Sequence, residues 1–329
     1  MEKPANISSE VNVISYGNSS SNVSSTSVVL TDEILVSVGI VMLLENIISI
    51  LLLSKCTRIN FQIRILSLNL AVSDLFTGFV LAVPNTLLYE KFRCDIKKYA
   101  AFLFINVSLL IVSIMNLDRC FVFAYAMRYY SFITKKLMRK LCCFAWITGF
   151  PLTFGMFFGF DAKYGFSCEL MAFHEMNAIN SIFKGVLLCI VVVNFLMFGY
   201  LLYHSRKKLS RTYPQQKQPM PHQYSRMVRK LSVVTGVFLM AYFPFMMIMT
   251  FPILDKSSGI GKGIYSFTAT MVLLNSACNP VFYVWRFSEP RYHVKRWFCF
   301  WNKRMREKID RLHNQQYASY DIYTISTSV

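Results

Sequence analysis

Acidic residues are scarce in this 329-residue chain: 17 Asp and Glu stand against 35 Lys and Arg, for a formal net charge of +18. Charge of either sign is rare as well, at 16% of residues, while 54% are hydrophobic and the mean hydropathy is +0.41. So apolar a composition excludes one or two ordinary soluble domains and makes a membrane protein the default. Nine cysteines are too few and too scattered for a disulfide scaffold, and no CxxC or Cys/His cluster in the sequence suggests zinc. HExxH, GxSxG at a strand–helix turn and a convergent His/Asp/Glu set are all missing, so the chain is not expected to be an enzyme. There is no repeat of solenoid period and no pair of matching interrupted spans of the kind an inverted-repeat transporter carries. The first 33 or so residues, rich in Ser and Asn, lack the basic start and apolar core of a secretory leader. No cleaved segment is expected, and Met1 is assigned to the mature chain.

What is present in quantity is long apolar sequence. Runs able to cross roughly 30 Å of hydrocarbon as helices of about 20 residues are Ile34–Ser54, Ile65–Leu88, Tyr99–Phe123, Leu141–Phe160, Ile179–Tyr203, Leu231–Leu254 and Ile264–Trp285. These runs are continuous rather than alternating, and a bilayer leaves an open sheet edge without partners, so strands are excluded. The expected fold is an all-α membrane protein, a seven-transmembrane helix bundle. Residues 1–33 form a glycosylated segment, 34–285 the helix bundle, 286–301 a short amphipathic surface helix and 302–329 a tail.

Lys and Arg fix the expected orientation. The segments on one side carry 25 of them, including Lys55, Arg58, Arg64, Arg128 and the group Arg206, Lys207 and Lys208; the other side carries eight. The N-terminus is therefore expected outside and the tail in the cytoplasm. Three glycosylation acceptors, Asn6, Asn18 and Asn22, each two residues before a serine, fall in the N-terminal segment and agree with that orientation. The positive charge lies mostly on loops beside spans, where topology and anionic lipid account for it, so nucleic acid is not an expected partner. In this topology Cys94 and Cys168 are the only cysteines placed outside, and they form the natural pair. Their bridge would pin the second outer loop over the bundle mouth and contribute roughly 4 kcal/mol.

Ionisable residues within the apolar runs are few: Glu45, Asp74, Asp118, Arg119 and Lys184. Counting about 1.5 Å per residue puts Asn46 roughly 12 Å deep, Asp74 roughly 14 Å and Asn275 roughly 15 Å. Ser276 and Asn279 flank that layer, with Asn275, Asn279 and Tyr283 on one helix face, and Ser108 is close in depth. A lone carboxylate there is costly, so either Asp74 is protonated or the group holds a small cation such as sodium, with Asp74, Ser108 and Asn279 as ligands. The alternative is a layer that joins helices through hydrogen bonds alone. In "NSACNPVFYVWR" (275–286), Pro280 removes a backbone hydrogen bond and crowds the Ser276 carbonyl, weakening the helix as a hinge. Pro244 and Pro84 introduce similar weak points in the sixth and second runs.

These residues resemble the rhodopsin-like (class A) G-protein-coupled receptors over about residues 34–300. The matches, in order, are Asn46, "NLAVSD" ending at Asp74, Cys94, "LDRC" with Asp118 and Arg119, Trp146, Cys168, Tyr200, "FLMAYFP" from Phe238 to Pro244, and "NPVFY" from Asn279 to Tyr283. The resemblance implies a ligand-gated switch that drives nucleotide exchange on a heterotrimeric G protein, with arrestin and receptor kinases as further partners. It implies that Arg119 contacts the G protein when active and is restrained by Asp118 at rest. It also implies that Asp74, Ser108, Asn275, Ser276 and Asn279 form a sodium pocket, and that Tyr200 and Tyr283 pair on activation. Apart from that ion no cofactor is implied. Departures from the pattern are Cys120 after the Asp-Arg pair, Tyr242 for the usual tryptophan, Val192 for a fifth-span proline, and Tyr224 for a sixth-span acid. The last excludes an ionic lock between spans three and six and makes elevated basal activity an expectation to test.

Ala101 stands where amine receptors carry an aspartate, so a monoamine agonist is not expected, and Leu273 where opsins carry the retinal-linking lysine, so a light receptor is excluded. Lys184, with Lys97 and Lys98, could hold a carboxylate or phosphate; alternatively Lys184 snorkels to headgroups or pairs with Glu175. An anionic small molecule is the leading ligand, a peptide the runner-up. A transporter or channel, and a decoy that binds without signalling, are the rival functions. Beyond Trp285, Ser288 and Pro290 open a helix whose Trp297, Phe298, Phe300 and Trp301 suit the inner leaflet. Cys299 is a palmitoylation candidate, and Thr327-Ser328-Val329 suits a PDZ groove.

Overall fold

The computed structural model describes residues 19–57, 59–84, 91–125, 129–157, 178–210, 222–251, 259–286 and 288–325. Every regular element among them is a helix: α1 Ser19–Lys55, α2 Phe61–Ala82, α3 Lys91–Ala124, α4 Tyr129–Phe132, α5 Lys135–Phe157, α6 Ala178–Ser210, α7 His222–Thr250, α8 Gly259–Arg286, α9 Ser288–Phe298 and α10 Lys303–Ile325. Among the described residues, four stretches are long and apolar enough to cross a bilayer: Glu33–Lys55, Phe61–Ala82, Ile96–Val122 and Ala178–His204. Their outward faces are apolar too, with Ile40, Leu44, Ile48 and Leu51 of α1 and Ile182 and Leu196 of α6 exposed. Such faces are stable only against hydrocarbon, which makes this a membrane protein.

Packing follows chain order. Helix α1 lies on α2, α2 on α3, α3 on α5, α5 on α6, α6 on α7 and α7 on α8, and α8 returns to α1. Helix α3 also touches α6 and α7, and 67% of its apolar stretch is buried, against 22% for those of α1 and α6. It is therefore the central post, and the side chains it presents set the interior. Close approach of α1 to α2 depends on two glycines. A Cβ on Gly39 would meet the Ala82 nitrogen at 2.5 Å, and one on Gly78 would meet the Met42 Cβ at 2.9 Å. Small residues are what allow backbones to come this near in a membrane.

Several boundaries differ from the sequence reading. Helix α2 ends at Ala82 with Val83 extended at φ −78°, ψ 116°, so Pro84 terminates the second helix and is not a weak point within it. The residue before a proline is driven out of the helical region. Pro244 and Pro151, by contrast, sit inside α7 and α5, and α8 runs through position 280 as far as Arg286. Helix α1 starts at Ser19, ahead of the expected Ile34, and the tail forms α10. In α10 the Asn302 Oδ1 accepts the Met305 amide at 3.1 Å as an N-cap, and Lys303, Glu307 and Arg311 alternate in sign at four-residue spacing, which supports a surface helix. The helix expected after Trp285 is α9, and it begins at Ser288.

Candidate functional site

Asp74 sits on the inner face of α2, fully buried. Its carboxylate is met from two other helices: Ser108 Oγ of α3 donates to Oδ1 at 3.0 Å, and Asn279 Nδ2 of α8 donates to Oδ2 at 2.6 Å. Ser276, one turn before Asn279, adds a further side-chain hydrogen bond. Ser108 Oγ also lies 2.9 Å from Ser73 Oγ, whose hydroxyl donates to the Phe104 carbonyl at 2.7 Å. A charged group placed here is compensated by donors on two neighbouring helices, the condition under which a buried carboxylate is tolerated. Asn275 is buried in the same stretch of α8, and its Nδ2 has no hydrogen-bond partner. Asn46, placed in this layer by depth, is fully buried, but its Nδ2 donates to the Met42 carbonyl of its own helix at 2.9 Å and its Oδ1 has no partner. Tyr242 of α7 packs above the nest. It is buried, stacked on Phe238 with ring centroids 4.1 Å apart, and its hydroxyl donates to the Ile105 carbonyl of α3 at 3.1 Å. This hydroxyl ties α7 directly to the backbone of α3.

At the other end of α3, Asp118 and Arg119 are both buried, with Arg119 Nε 3.8 Å from Asp118 Oδ2. Oδ1 of the same carboxylate accepts the Tyr129 hydroxyl at 2.5 Å. Tyr129 belongs to the one-turn helix α4, so the α3 terminus and the following connection are clasped through one acid.

Residues 45–283 match the profile of the 7 transmembrane receptor (rhodopsin family). The chain belongs to that family. The receptor thus carries its matched stretch across the Asp74 nest and the Asp118–Arg119 pair alike.

The ligand candidates lie near the opposite end of the interior. Lys184 of α6 is only 3% exposed, and Lys97 and Lys98 of α3 are buried as well. Lys184 is thus enclosed by protein and does not reach out along the surface. Lys97 Nζ donates to the Val83 carbonyl at 2.5 Å, serving the end of α2, where a cation meets the unpaired carbonyls. Beneath them the floor is aromatic: Phe102 stacks on Phe245 at 6.4 Å, and Phe245 meets Tyr265 at 5.9 Å. Ala101 and Leu273 are fully or nearly fully buried. Tyr200 is 40% exposed and leans on His204 of its own helix at 4.3 Å.

Two features escaped the sequence reading. One is Tyr129, which nothing in "AMRYYSF" marks as a partner for an acid eleven residues earlier. The other is an amide seam between α3 and α6: Asn116 Nδ2 donates to Asn194 Oδ1 at 2.7 Å, and Asn194 Nδ2 donates to Ser113 Oγ at 2.7 Å. Its signal in the sequence is an asparagine inside "IVVVNFLMF", a neutral group that marks no partner by itself. Trp146 Nε1 similarly donates to Asn69 Oδ1 at 3.0 Å, joining α5 to α2. The side chains of Cys94, Cys168, Pro280, Tyr283 and Tyr224, and all of Asn6, Asn18, Lys163, Glu175 and Thr327–Val329, lie outside the described residues.

Proposed function

We propose that the chain is a ligand-activated, G-protein-coupled receptor of the plasma membrane. In this reading α1, α2, α3, α5, α6, α7 and α8 are its seven spans, and α9 is an amphipathic eighth helix on the inner leaflet. The N-terminus is outside, glycosylated at Asn6, Asn18 and Asn22, and the tail is cytoplasmic, with Cys299 acylated. Cys94 and Cys168 are bridged. The observation that carries the reading is the Asp74 nest, in which donors from α3 and α8 converge on one acid of α2. Two packings of the bundle differ by how that nest is arranged, and a ligand shifts their populations by binding one more tightly.

A sodium ion fits the nest chemically. Asp74, Ser108 and Ser73 supply hard oxygen donors, and the Nδ2 of Asn275 is a buried donor with no hydrogen-bond partner in the same stretch of α8. When bound, the ion supplies positive charge that stabilises one packing. Asn279 would then yield its direct bond to Asp74. At the cytoplasmic end, Asp118 and Tyr129 hold the α3 terminus at rest, and Arg119 meets the G protein once that hold is released.

Three lysines enclosed near one end of the interior, Lys97, Lys98 and Lys184, favour an anionic small molecule over a peptide as ligand. For an identified acidic agonist, Lys184→Ala is expected to lower potency by at least ~10-fold, as loss of a charge-assisted bond requires; unchanged potency excludes this lysine as the anchor. Purified receptor should accelerate GTP-analogue binding to a heterotrimeric G protein, and Arg119→Ala should abolish the acceleration. Substrate flux in liposomes without nucleotide exchange would point instead to a transporter, and agonist binding with neither response to a decoy.

A further inference from the structure

Cys56, Glu289 and His293 come from distant parts of the chain and meet where the end of α1 abuts α9. Each offers one ligand atom, a thiol sulfur, a carboxylate oxygen and a ring nitrogen, and the three atoms lie within 4.8 Å of one another. Cys56 and Glu289 are buried and His293 is partly buried. The helix period explains the convergence: Glu289 and His293 are four residues apart, so they share one face of α9. Trp297, another four along, takes the Lys55 ammonium over its ring at 5.3 Å, which holds that face against α1. The Thr57 amide donates to Glu289 Oε1 at 2.9 Å and fixes the carboxylate beside Cys56.

We propose that Cys56, Glu289 and His293 form a zinc site that ties the end of α1 to α9, with water as the fourth ligand. Thiolate, imidazole and carboxylate together select Zn2+ over Mg2+ or Ca2+, which prefer oxygen alone. Bonds of about 2.0–2.3 Å place tetrahedral ligands roughly 3.3–3.8 Å apart, so the set closes by about 1 Å, within the reach of the Glu289 and His293 rotamers. Binding replaces the S–H bond of Cys56 with an S–Zn bond and releases one proton to water. Burial, then the charge of Glu289, push this thiol up to about 12, with Arg64 pulling the other way. The other charges facing the set are Arg64, whose Nη1 donates to the Cys56 carbonyl at 2.7 Å, and Lys55 and Arg296 beside His293. These cations oppose weakly bound divalent ions and leave the site to one that bonds sulfur.

The site is independent of the signalling reading, and so is its test. Full-length protein in nanodiscs, with affinity tag removed, reduced and stripped of metal, is titrated with Co2+. One Co2+ per chain is expected, with a near-ultraviolet thiolate charge-transfer band and the visible bands of a four-coordinate ion, all bleached by Zn2+. Cys56→Ser should remove the charge-transfer band. His293→Ala and Glu289→Gln should each weaken binding at least ~10-fold, the glutamine keeping an acceptor for the Thr57 amide so that the junction stays folded. If Cys56→Ser does not yield folded protein, the other two variants decide through affinity and through Zn2+ raising the Tm of wild type alone. A charge-transfer band that survives Cys56→Ser, affinity unmoved by both α9 variants, or no stoichiometric Co2+ binding would each overturn the site.

Discussion

Both oxygens of Asp74 are engaged, so replacing it by asparagine removes the charge but keeps the shape. If the nest holds sodium, Na+ in place of a large organic cation should raise the wild-type Tm by roughly 2–4 °C, and Asp74→Asn should abolish that difference. A thermal melt in the two salts checks it; equal salt dependence in both proteins would exclude Asp74 as the ligand. Tyr129 supports a second residue-scale prediction. A hydrogen bond to a charged acceptor is worth about 1.5–3 kcal/mol, so Tyr129→Phe should shift a resting equilibrium by on the order of 10-fold. Higher basal GTP-analogue binding with unchanged expression is the expected readout. Asp74 was legible in the sequence because a carboxylate in an apolar run has few explanations. Tyr129 was not, because a tyrosine beside a membrane span is common and its partner is set by how α4 turns back on α3.

Among elements, the α1–α2 contact is the most demanding. The atoms facing Gly39 belong to the α2 backbone and cannot swing aside. Gly39→Ala is therefore expected to destabilise by about 1–3 kcal/mol and reduce surface expression. Gly185 and Gly199 of α6 have open space where a Cβ would stand, and alanine there should be neutral or stabilise by up to about 1 kcal/mol. Ranking the three variants by Tm tests the packing directly. Continuous apolar runs made the helices of this protein readable, since only helices satisfy a backbone in hydrocarbon. Their ends were less so: Pro84 closes α2 where Pro244 is carried through α7, and local sequence does not separate a proline that stops a helix from one that neighbouring helices accommodate. The metal-ligand triad was illegible for a different reason. Residues 56, 289 and 293 acquire a common geometry only when α9 lies against α1.

For the whole molecule, the interior is organised by α3, while the described part of the tail packs on α9. Tyr292 donates to Asp310 at 2.7 Å and stacks on His313, and Arg296 lies 3.7 Å from Asp310. Exposed pairs of this kind contribute at most about 1 kcal/mol. Truncation after Asn302 should thus leave the Tm of the bundle within ~2 °C of wild type, with α10 lost from the circular dichroism signal; a larger fall would mean that α10 braces the transmembrane helices.

The seam of Asn116, Asn194 and Ser113 contains no group that gains or loses a proton in the biological range. An acidified vesicle cannot loosen it, nor can a change of ionic strength. The grip between α3 and α6 is therefore the same in acid as at neutrality, and any response of the bundle to pH must be worked by residues elsewhere.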